Sequence, residues 1–247
     1  FLDNLIQKHL SALIKLNSDE KNNSSRGIIY QIKEGFGSTK IKNIIRLHKE
    51  LPEDDKKNLN KLGLRFGVEY LYIPDLLKPG AVKLRALLWG IENNTFYKDA
   101  LPEDGRVAYS PSEEAPKDWY NIIGYSKLGD RVMRVDMVER LLALIRIAAR
   151  DGSFKITEEM LSIAGASKEQ MSKVLMDLDF ELLDQDKNQE ITFDTVFKKK
   201  KKFIYKNKTK TIKKIKKDKI LKKTKTSKNT TKNIKINPES PFAVLSN

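Results

Sequence analysis

Lysine is the residue type most able to bind a ligand in this chain, and lysines are densest near its C-terminal end. Residues 198–235 contain 19 lysines, no arginine and one acidic residue, Asp218, whereas residues 1–197 carry 29 basic and 31 acidic groups. A lysine ammonium attracts phosphate as a point charge, without the bidentate geometry of arginine. The pattern predicts sequence-independent binding to an RNA or DNA backbone that weakens steeply with salt. The lysines assigned to this role are Lys198, Lys199, Lys200, Lys201, Lys202, Lys213, Lys214, Lys216, Lys217, Lys222 and Lys223.

The same segment has too few apolar residues to form a core, so we expect it to be disordered without a partner. Two other interpretations stay open. A compositional bias toward Lys, Asn, Ile and Thr could have filled a linker, or Ile212, Ile215 and Ile220 could support a short helix on an anionic membrane surface. We favour phosphate binding, because even an accidental polycation attracts nucleic acid.

The remaining residue types do not predict a metal site. The chain has no cysteine, which excludes disulfides and thiolate ligands, and its two histidines, His9 and His48, fall on separate amphipathic segments. Residues 184–188 resemble the start of a calcium-binding loop. Gln189 and Thr195 stand where that loop needs a glycine and a bidentate glutamate, so we interpret the segment as a solvated acidic turn.

A nucleotide-hydrolysing motor is not predicted either. Its phosphate-binding loop ends in Gly-Lys-Ser/Thr, and the nearest approach here, Gly35–Lys40 (GFGSTK), has the wrong order and spacing. We interpret this segment as the end of one helix and the start of another. The chain alone should therefore hydrolyse nothing and should need no cofactor.

The elements that must position these groups are mostly helices. Apolar spacing predicts a mainly α fold with a small β component (α+β). Helices are predicted near 2–17, 26–36, 41–51, 52–62, 79–91 and 136–149, a strand at 64–73, a loop at 95–118 and a hairpin at 125–135.

Residues 157–180 fit a helix-turn-helix. Gly165 supplies a left-handed turn, and Ser167 with Gln170 three residues later predicts a capping box for the second helix. The outward residues of that helix sum to zero charge, whereas a helix entering a DNA groove normally presents a cationic face. We therefore favour a packing role and keep base recognition as the alternative. Those outward residues are Lys168, Glu169, Lys173 and Asp177.

Residues 62–89 are the most informative stretch of the chain. Within them, Pro79 is suited to the first position of a helix. In the same block, Arg65, Lys78 and Arg85 could line a channel for a nucleic-acid backbone. The alternative is ion pairing with neighbouring acids, namely Glu69, Asp75 and Glu92. The same alternatives apply to Arg131, Arg134 and Arg140, with Asp136 and Glu139 as partners. Arg85 and Trp89, four residues apart, could also stack.

This block resembles the C-terminal region of the alphaproteobacterial superfamily 2 helicases related to the mitochondrial degradosome RNA helicase. Three other stretches agree with it, at 26–37, 124–141 and 240–245. The matching residues of the block are Leu62, Gly63, Arg65, Phe66, Gly67, Pro74, Leu76, Leu77, Lys78, Pro79, Leu84, Arg85, Leu88 and Trp89.

The resemblance implies the non-motor, C-terminal part of an ATP-dependent RNA or DNA helicase in the cytoplasm. ATP and Mg²⁺ would bind only to upstream motor domains, which would be partners together with a nuclease. The start at Phe1, with helical spacing from the first residues, fits a fragment of such a protein. The competing class is a non-enzymatic nucleic-acid-binding protein, either a helix-turn-helix regulator or a ribosome-associated factor.

We expect four segments along the chain. They are a helical and α+β accessory region (1–134), a helix-turn-helix-like module (135–197), the lysine-rich tail (198–237) and an apolar docking peptide (238–247). No apolar run approaches the roughly 20 residues that a membrane-spanning helix needs.

Overall fold

The computed structural model describes residues 2–16, 23–183 and 191–200. These residues contain nine α-helices and nine short β-strands. All of them belong to one unit, which ends at Lys200. The helices are α1 (Leu2–Ile14), α2 (Asn23–Glu34), α3 (Ile45–Glu50), α4 (Glu53–Lys61), α5 (Pro79–Asn93), α6 (Lys117–Ile122), α7 (Val135–Ala148), α8 (Glu158–Ala164) and α9 (Lys168–Asp177). The strands are β1 (Ser38–Lys40), β2 (Arg65–Phe66), β3 (Tyr70–Tyr72), β4 (Ala108–Tyr109), β5 (Tyr125–Leu128), β6 (Arg131–Arg134), β7 (Ser153–Lys155), β8 (Phe180–Leu182) and β9 (Val196–Lys199). This is the predicted mainly helical fold with a small β component.

The strands form three antiparallel sheets of three strands each, in the orders β1-β3-β2, β4-β6-β5 and β7-β9-β8. Sheets this small are stable only when helices cover them. Apolar clusters supply that cover. One joins α1–α5 to β3, a second surrounds the aromatic pair Trp119 and Tyr120, and the third lies among α7, α8, α9 and the last sheet. In the described ranges, no helix is long and apolar enough to cross a membrane.

Local sequence signals set several helix boundaries as predicted. Pro79 is the first residue of α5, where its missing N–H has no partner to lose. Three acidic residues, Glu53–Asp55, occupy the first turn of α4, and Gly63 follows that helix with a φ of +98°. Ser167 and Gln170 form the predicted capping box of α9. These features depend on residues close in sequence, which explains why they could be predicted.

Two predictions in the block 62–89 were wrong. Residues 64–73 form a hairpin of β2 and β3 rather than one strand, and the Gly67 amide donates to the Tyr70 carbonyl across the turn at 2.8 Å. The helical spacing of Leu84, Leu87, Leu88 and Ile91 also predicts one apolar face that α5 buries, but Leu87 and Ile91 are 43% and 62% exposed, and α5 buries mostly small residues instead. Small residues let neighbouring segments approach the helix closely.

The C-terminal part of the unit is a winged helix-turn-helix in its order of elements: α7, β7, α8, α9, β8 and β9. The helix-turn-helix was predicted, and Gly165 has the expected left-handed conformation with a φ of +55°. The three strands were not predicted, because segments of three or four residues are too short to show an alternating pattern. Phe154 of β7 lies opposite Phe197 of β9, and both rings enter the apolar cluster.

Strand β9 shifts the start of the predicted tail. Lys198 and Lys199 pair with β7 and β8 in the last sheet, and the Lys200 amide donates to the Asp179 carbonyl at 2.8 Å. The prediction of disorder from residue 198 was therefore wrong for these three residues. The rest of the tail and the predicted docking peptide lie outside the described residues, as does the calcium-like segment 184–188.

The carboxylate of Glu139 joins α7 to the β2–β3 hairpin. It accepts hydrogen bonds from three consecutive backbone amides, those of Val68 (2.6 Å), Glu69 (2.8 Å) and Tyr70 (2.7 Å). Gly67 makes room for it, because a Cβ at this position would lie 2.2 Å from the Glu139 carboxyl carbon. One of the alternatives left open by the sequence paired Glu139 with an arginine, but Glu139 caps a turn 69 to 71 residues away instead.

Replacing Glu139 with alanine should destabilise the fold by about 2 kcal/mol, because three amide groups would lose a charged acceptor. Urea denaturation followed by circular dichroism would measure the change in the free energy of unfolding. The control is Glu92→Ala on the exposed side of α5, for which we expect a change within about 0.5 kcal/mol. Equal stabilities for the two variants would contradict the role assigned to Glu139.

Candidate nucleic-acid interface

A cleft of about 520 Å³ lies between β1 with its following turn and helix α6. Its polar walls carry three lysines, Lys40, Lys42 and Lys117, and one carboxylate, Asp118. The other lining residues are Gly35, Ser38, Thr39, Asn43, Tyr70, Asn121 and Val135. The lining therefore has an excess of positive charge and hydrogen-bonding groups, which suits a small anionic group better than an apolar ligand.

One wall of the cleft is the segment Gly35–Lys40, which sequence analysis compared with a phosphate-binding loop. It follows helix α2 and enters strand β1, whereas a phosphate-binding loop leaves a strand and enters a helix. The predicted helix end is confirmed, but the next element is a strand. The turn is tight: a Cβ on Gly35 would lie 2.1 Å from the Ser38 carbonyl oxygen, and Gly37 has a φ of +107°.

Arg85 holds both walls from behind. It is fully buried, and its guanidinium donates to the carbonyl oxygens of Phe36 (3.0 Å), Ile123 (2.8 Å) and Leu76. Phe36 belongs to the turn before β1, and Ile123 directly follows α6, so one side chain fixes the two segments that face each other across the cleft. Burial lowers the pKa of Arg85 to about 9, which leaves it protonated at neutral pH.

A direct hydrogen bond also joins the walls. The Ser38 hydroxyl donates to the Asn121 carbonyl oxygen at 3.1 Å. The Asn121 side chain is less well satisfied, because its Nδ2 reaches Asp118 only at 3.5 Å and its buried Oδ1 has no partner among the described residues. The α6 wall thus keeps unused hydrogen-bonding capacity beside the lysines.

The lysines of the cleft repel one another. Burial, followed by the charge of Lys42, lowers the pKa of Lys40, and Lys117 contributes in the same direction. Glu69 and Asp177 oppose this shift without reversing it. Lys117 lies 3.8 Å from Asp177, with both side chains about half exposed, so this pair offsets little of the local charge.

The structure places the three body residues predicted to bind nucleic acid outside this cleft. Arg65 is exposed and donates to the carbonyl oxygens of Asn60 and Leu64, and Lys78 forms an ion pair with Asp75 at 2.7 Å. Arg85 is fully buried, so the prediction that it contacts a nucleic-acid backbone was wrong. It also turns toward carbonyl groups and not toward Trp89, which packs beside Tyr97.

Of the lysines assigned to the tail, Lys198, Lys199 and Lys200 belong to the folded unit. Lys198 lies 3.7 Å from Glu181 across the sheet, Lys199 is exposed at the end of β9, and the Lys200 ammonium donates to the Met176 carbonyl at 3.2 Å. The other predicted phosphate ligands lie outside the described residues. They are Lys201, Lys202, Lys213, Lys214, Lys216, Lys217, Lys222 and Lys223.

The β5–β6 turn contacts the C-terminal half of the outer face of α9, the helix that reads DNA in many helix-turn-helix proteins. Lys173 pairs with Asp130, and the Gly129 amide donates to Asp177 at 3.0 Å. A Cβ on Gly129 would lie 2.6 Å from the Lys173 Cβ, so the two backbones are in close approach. These contacts agree with the packing role that the neutral helix face favours.

Arginines near this turn also have structural partners. Arg134 binds Asp136 through two hydrogen bonds of 2.7 and 2.8 Å, as the ion-pair alternative proposed. Arg131 donates to the Ala164 carbonyl at 3.4 Å and to Ser110 at 3.3 Å. Arg140 is exposed on α7. His9 lies on α1 and His48 on α3, and the described part of the chain contains no group of three or more residues suited to a metal ion.

Replacing Arg85 with lysine should destabilise the protein by about 3 kcal/mol, because one ammonium cannot reach three carbonyl groups on separate segments. Chemical denaturation would give the free energy of unfolding, and hydrogen exchange at residues 36–40 and 117–123 would report the loosened walls. Arg46→Lys on the exposed face of α3 is the matched control. A stability equal to that of the control would contradict the bracing role.

The amine of Lys40 should react with an acylating reagent at lower pH than the amine of N-acetyllysine amide, because its lowered pKa leaves more neutral amine. Mass spectrometry of the modified peptide would give the pH profile. Lys117→Gln removes one repelling charge and should move that profile toward higher pH. A wild-type profile that coincides with the free amine would contradict the charge crowding described for the cleft.

Comparisons with known proteins add no family to these findings: no protein-family model, curated protein or solved structure matches the chain.

Proposed function

We propose that this chain is the C-terminal, non-motor part of an ATP-dependent RNA or DNA helicase, and that it holds the phosphate backbone of the nucleic acid. The motor domains, ATP and Mg²⁺ would belong to upstream polypeptide, and a nuclease would be a further partner. The proposed compartment is the cytoplasm. This chain would contribute affinity for the strand and a surface for packing against the motor.

The observation that carries the proposal is the separation of charge along the chain. Residues 1–197 are nearly neutral, whereas residues 198–235 combine 19 lysines with a single acid. Such a cationic segment releases counterions when it neutralises phosphates, and this release gives affinity without sequence preference. The lysine-lined cleft adds a second place where positive charge collects.

The helicase part of the proposal is supported by the roles of the residues that carry the resemblance. Arg85, Gly67 and Pro79 each have a structural task, as the brace of the cleft, the space for Glu139 and the first residue of α5. Residues with such tasks are the ones that a shared fold would retain.

The second candidate is a non-enzymatic nucleic-acid-binding protein. A helix-turn-helix regulator needs a free recognition helix with a cationic face, whereas the outward residues of α9 sum to zero charge and two of them, Lys173 and Asp177, bind the β5–β6 turn. A ribosome-associated factor would share the lysine-rich segment but would have no motor encoded upstream. The coding sequence before Phe1 therefore discriminates. A phosphate-binding loop with an acidic magnesium motif supports the helicase, and a start codon within a few residues contradicts it.

Replacing the 16 lysines between residues 201 and 235 with glutamine should weaken binding to a short single-stranded RNA by about 100-fold or more at low salt. Fluorescence anisotropy over a series of salt concentrations would measure affinity and its salt dependence, whose slope should become much shallower. A chain with the same 35 residues in shuffled order is the control, and it should bind as the natural chain does.

Two outcomes would contradict this part of the proposal. One is unchanged affinity after loss of the lysines, and the other is a preference for one duplex sequence that survives their loss. ATP turnover by the isolated chain would contradict the assignment to a non-motor part.

A further inference from the structure

We infer that the cleft between β1 and α6 binds a phosphate group of a nucleic-acid strand, with Lys40, Lys42 and Lys117 as its cationic ligands. This inference rests on the proposed function, and it adds a fixed point of contact in the folded body to the diffuse attraction of the lysine-rich segment. The chemistry is that of a tetrahedral phosphate oxyanion, which either an internal phosphodiester or a 5′-terminal monophosphate could supply.

The composition of the lining favours an oxyanion. Three lysines and one carboxylate, Asp118, face the same space. The nearby acid Asp177 is already shared, because it accepts from the Gly129 amide at 3.0 Å and lies 3.8 Å from Lys117. An arriving phosphate would therefore relieve repulsion among the lysines without having to break a strong ion pair.

Neutral groups complete the site. Thr39 brings a hydroxyl group to the same lining, and Asn43 and Asn121 bring side-chain amides, all of which can donate hydrogen bonds to phosphate oxygens. A volume of about 520 Å³ lies in the range of small-ligand sites and holds one nucleotide unit with ordered water. The two remaining large side chains of the lining, Tyr70 and Val135, offer no free polar group to a ligand, since the Tyr70 hydroxyl already donates to Ser126 at 2.7 Å.

The site is held in shape before any ligand arrives. Arg85 binds carbonyl groups at the base of both walls, and Ser38 bonds to Asn121 directly. Lysines on a fixed frame lose less freedom on binding than lysines on a flexible segment. The cleft should therefore contribute to the position of the strand as well as to its affinity.

The test uses the full chain and the double substitution Lys40→Gln with Lys117→Gln. Affinity for a short single-stranded RNA should fall by about tenfold. The slope of log affinity against log salt should become shallower by about 0.7, because the protein would neutralise one phosphate fewer. The control is Lys61→Gln with Lys98→Gln, which removes two exposed lysines that do not line the cleft. It should leave both quantities nearly unchanged.

Amine acylation read by mass spectrometry is the second measurement. The RNA should protect Lys40, Lys42 and Lys117 several-fold more than Lys61 and Lys98. This difference should persist in the chain whose lysines between residues 201 and 235 are glutamine, when RNA is raised to saturation. Failure of the proposed function would appear as no RNA binding by the natural chain. Failure of this inference would appear as RNA binding with equal protection of all five lysines and no effect of the double substitution.

Three probes separate the sources of phosphate: the same oligonucleotide with a 5′-hydroxyl, with a 5′-monophosphate, and inorganic phosphate at equal concentration. Equal protection by both oligonucleotides assigns an internal phosphodiester. Protection by the 5′-phosphorylated form alone assigns the terminal group. Protection by inorganic phosphate as strong as that by the oligonucleotides would overturn the assignment to a strand.

Discussion

The position of Arg85 is the constraint on which the candidate site depends. A buried guanidinium without a carboxylate partner must find acceptors, because an unsatisfied buried charge costs several kcal/mol. Arg85 finds them in carbonyl groups at Phe36, Leu76 and Ile123, which belong to three separate segments of the chain. Each of these segments must hold its carbonyl toward the same point for the guanidinium to remain buried. The buried charge therefore fixes three backbone segments relative to one another.

Glu139 does the opposite with a carboxylate. It collects backbone amides at the β2–β3 turn, as Arg85 collects backbone carbonyls behind the cleft. In both cases a single charged side chain from a helix fixes irregular backbone that no regular element could order. Between them, these two residues tie α5 and α7 to the short sheets, which are too small to be stable alone.

Features set by neighbouring residues could be predicted, and features set by distant ones could not. The capping box of α9, Pro79 at the start of α5 and the hairpin before α7 all depend on residues a few positions apart. Arg85 looked like a surface cation because its acceptors lie 9, 38 and 49 residues away. Only one wall of the cleft could be recognised from the sequence. The segment Gly35–Lys40 was noted for its glycines, but Lys117 and Asn121 come from a helix that starts within a stretch interpreted as loop.

The place of β9 in its sheet has a mechanical consequence. β9 is the middle strand, hydrogen-bonded to β7 on one side and β8 on the other, and the lysine-rich segment continues directly from its end. A force on the chain after Lys200, if applied along the axis of β9, would be transmitted through this middle strand. It would load the bonds to both neighbours together in shear, rather than peel an edge strand away one bond at a time. The anchorage of the segment is therefore of the kind that resists traction.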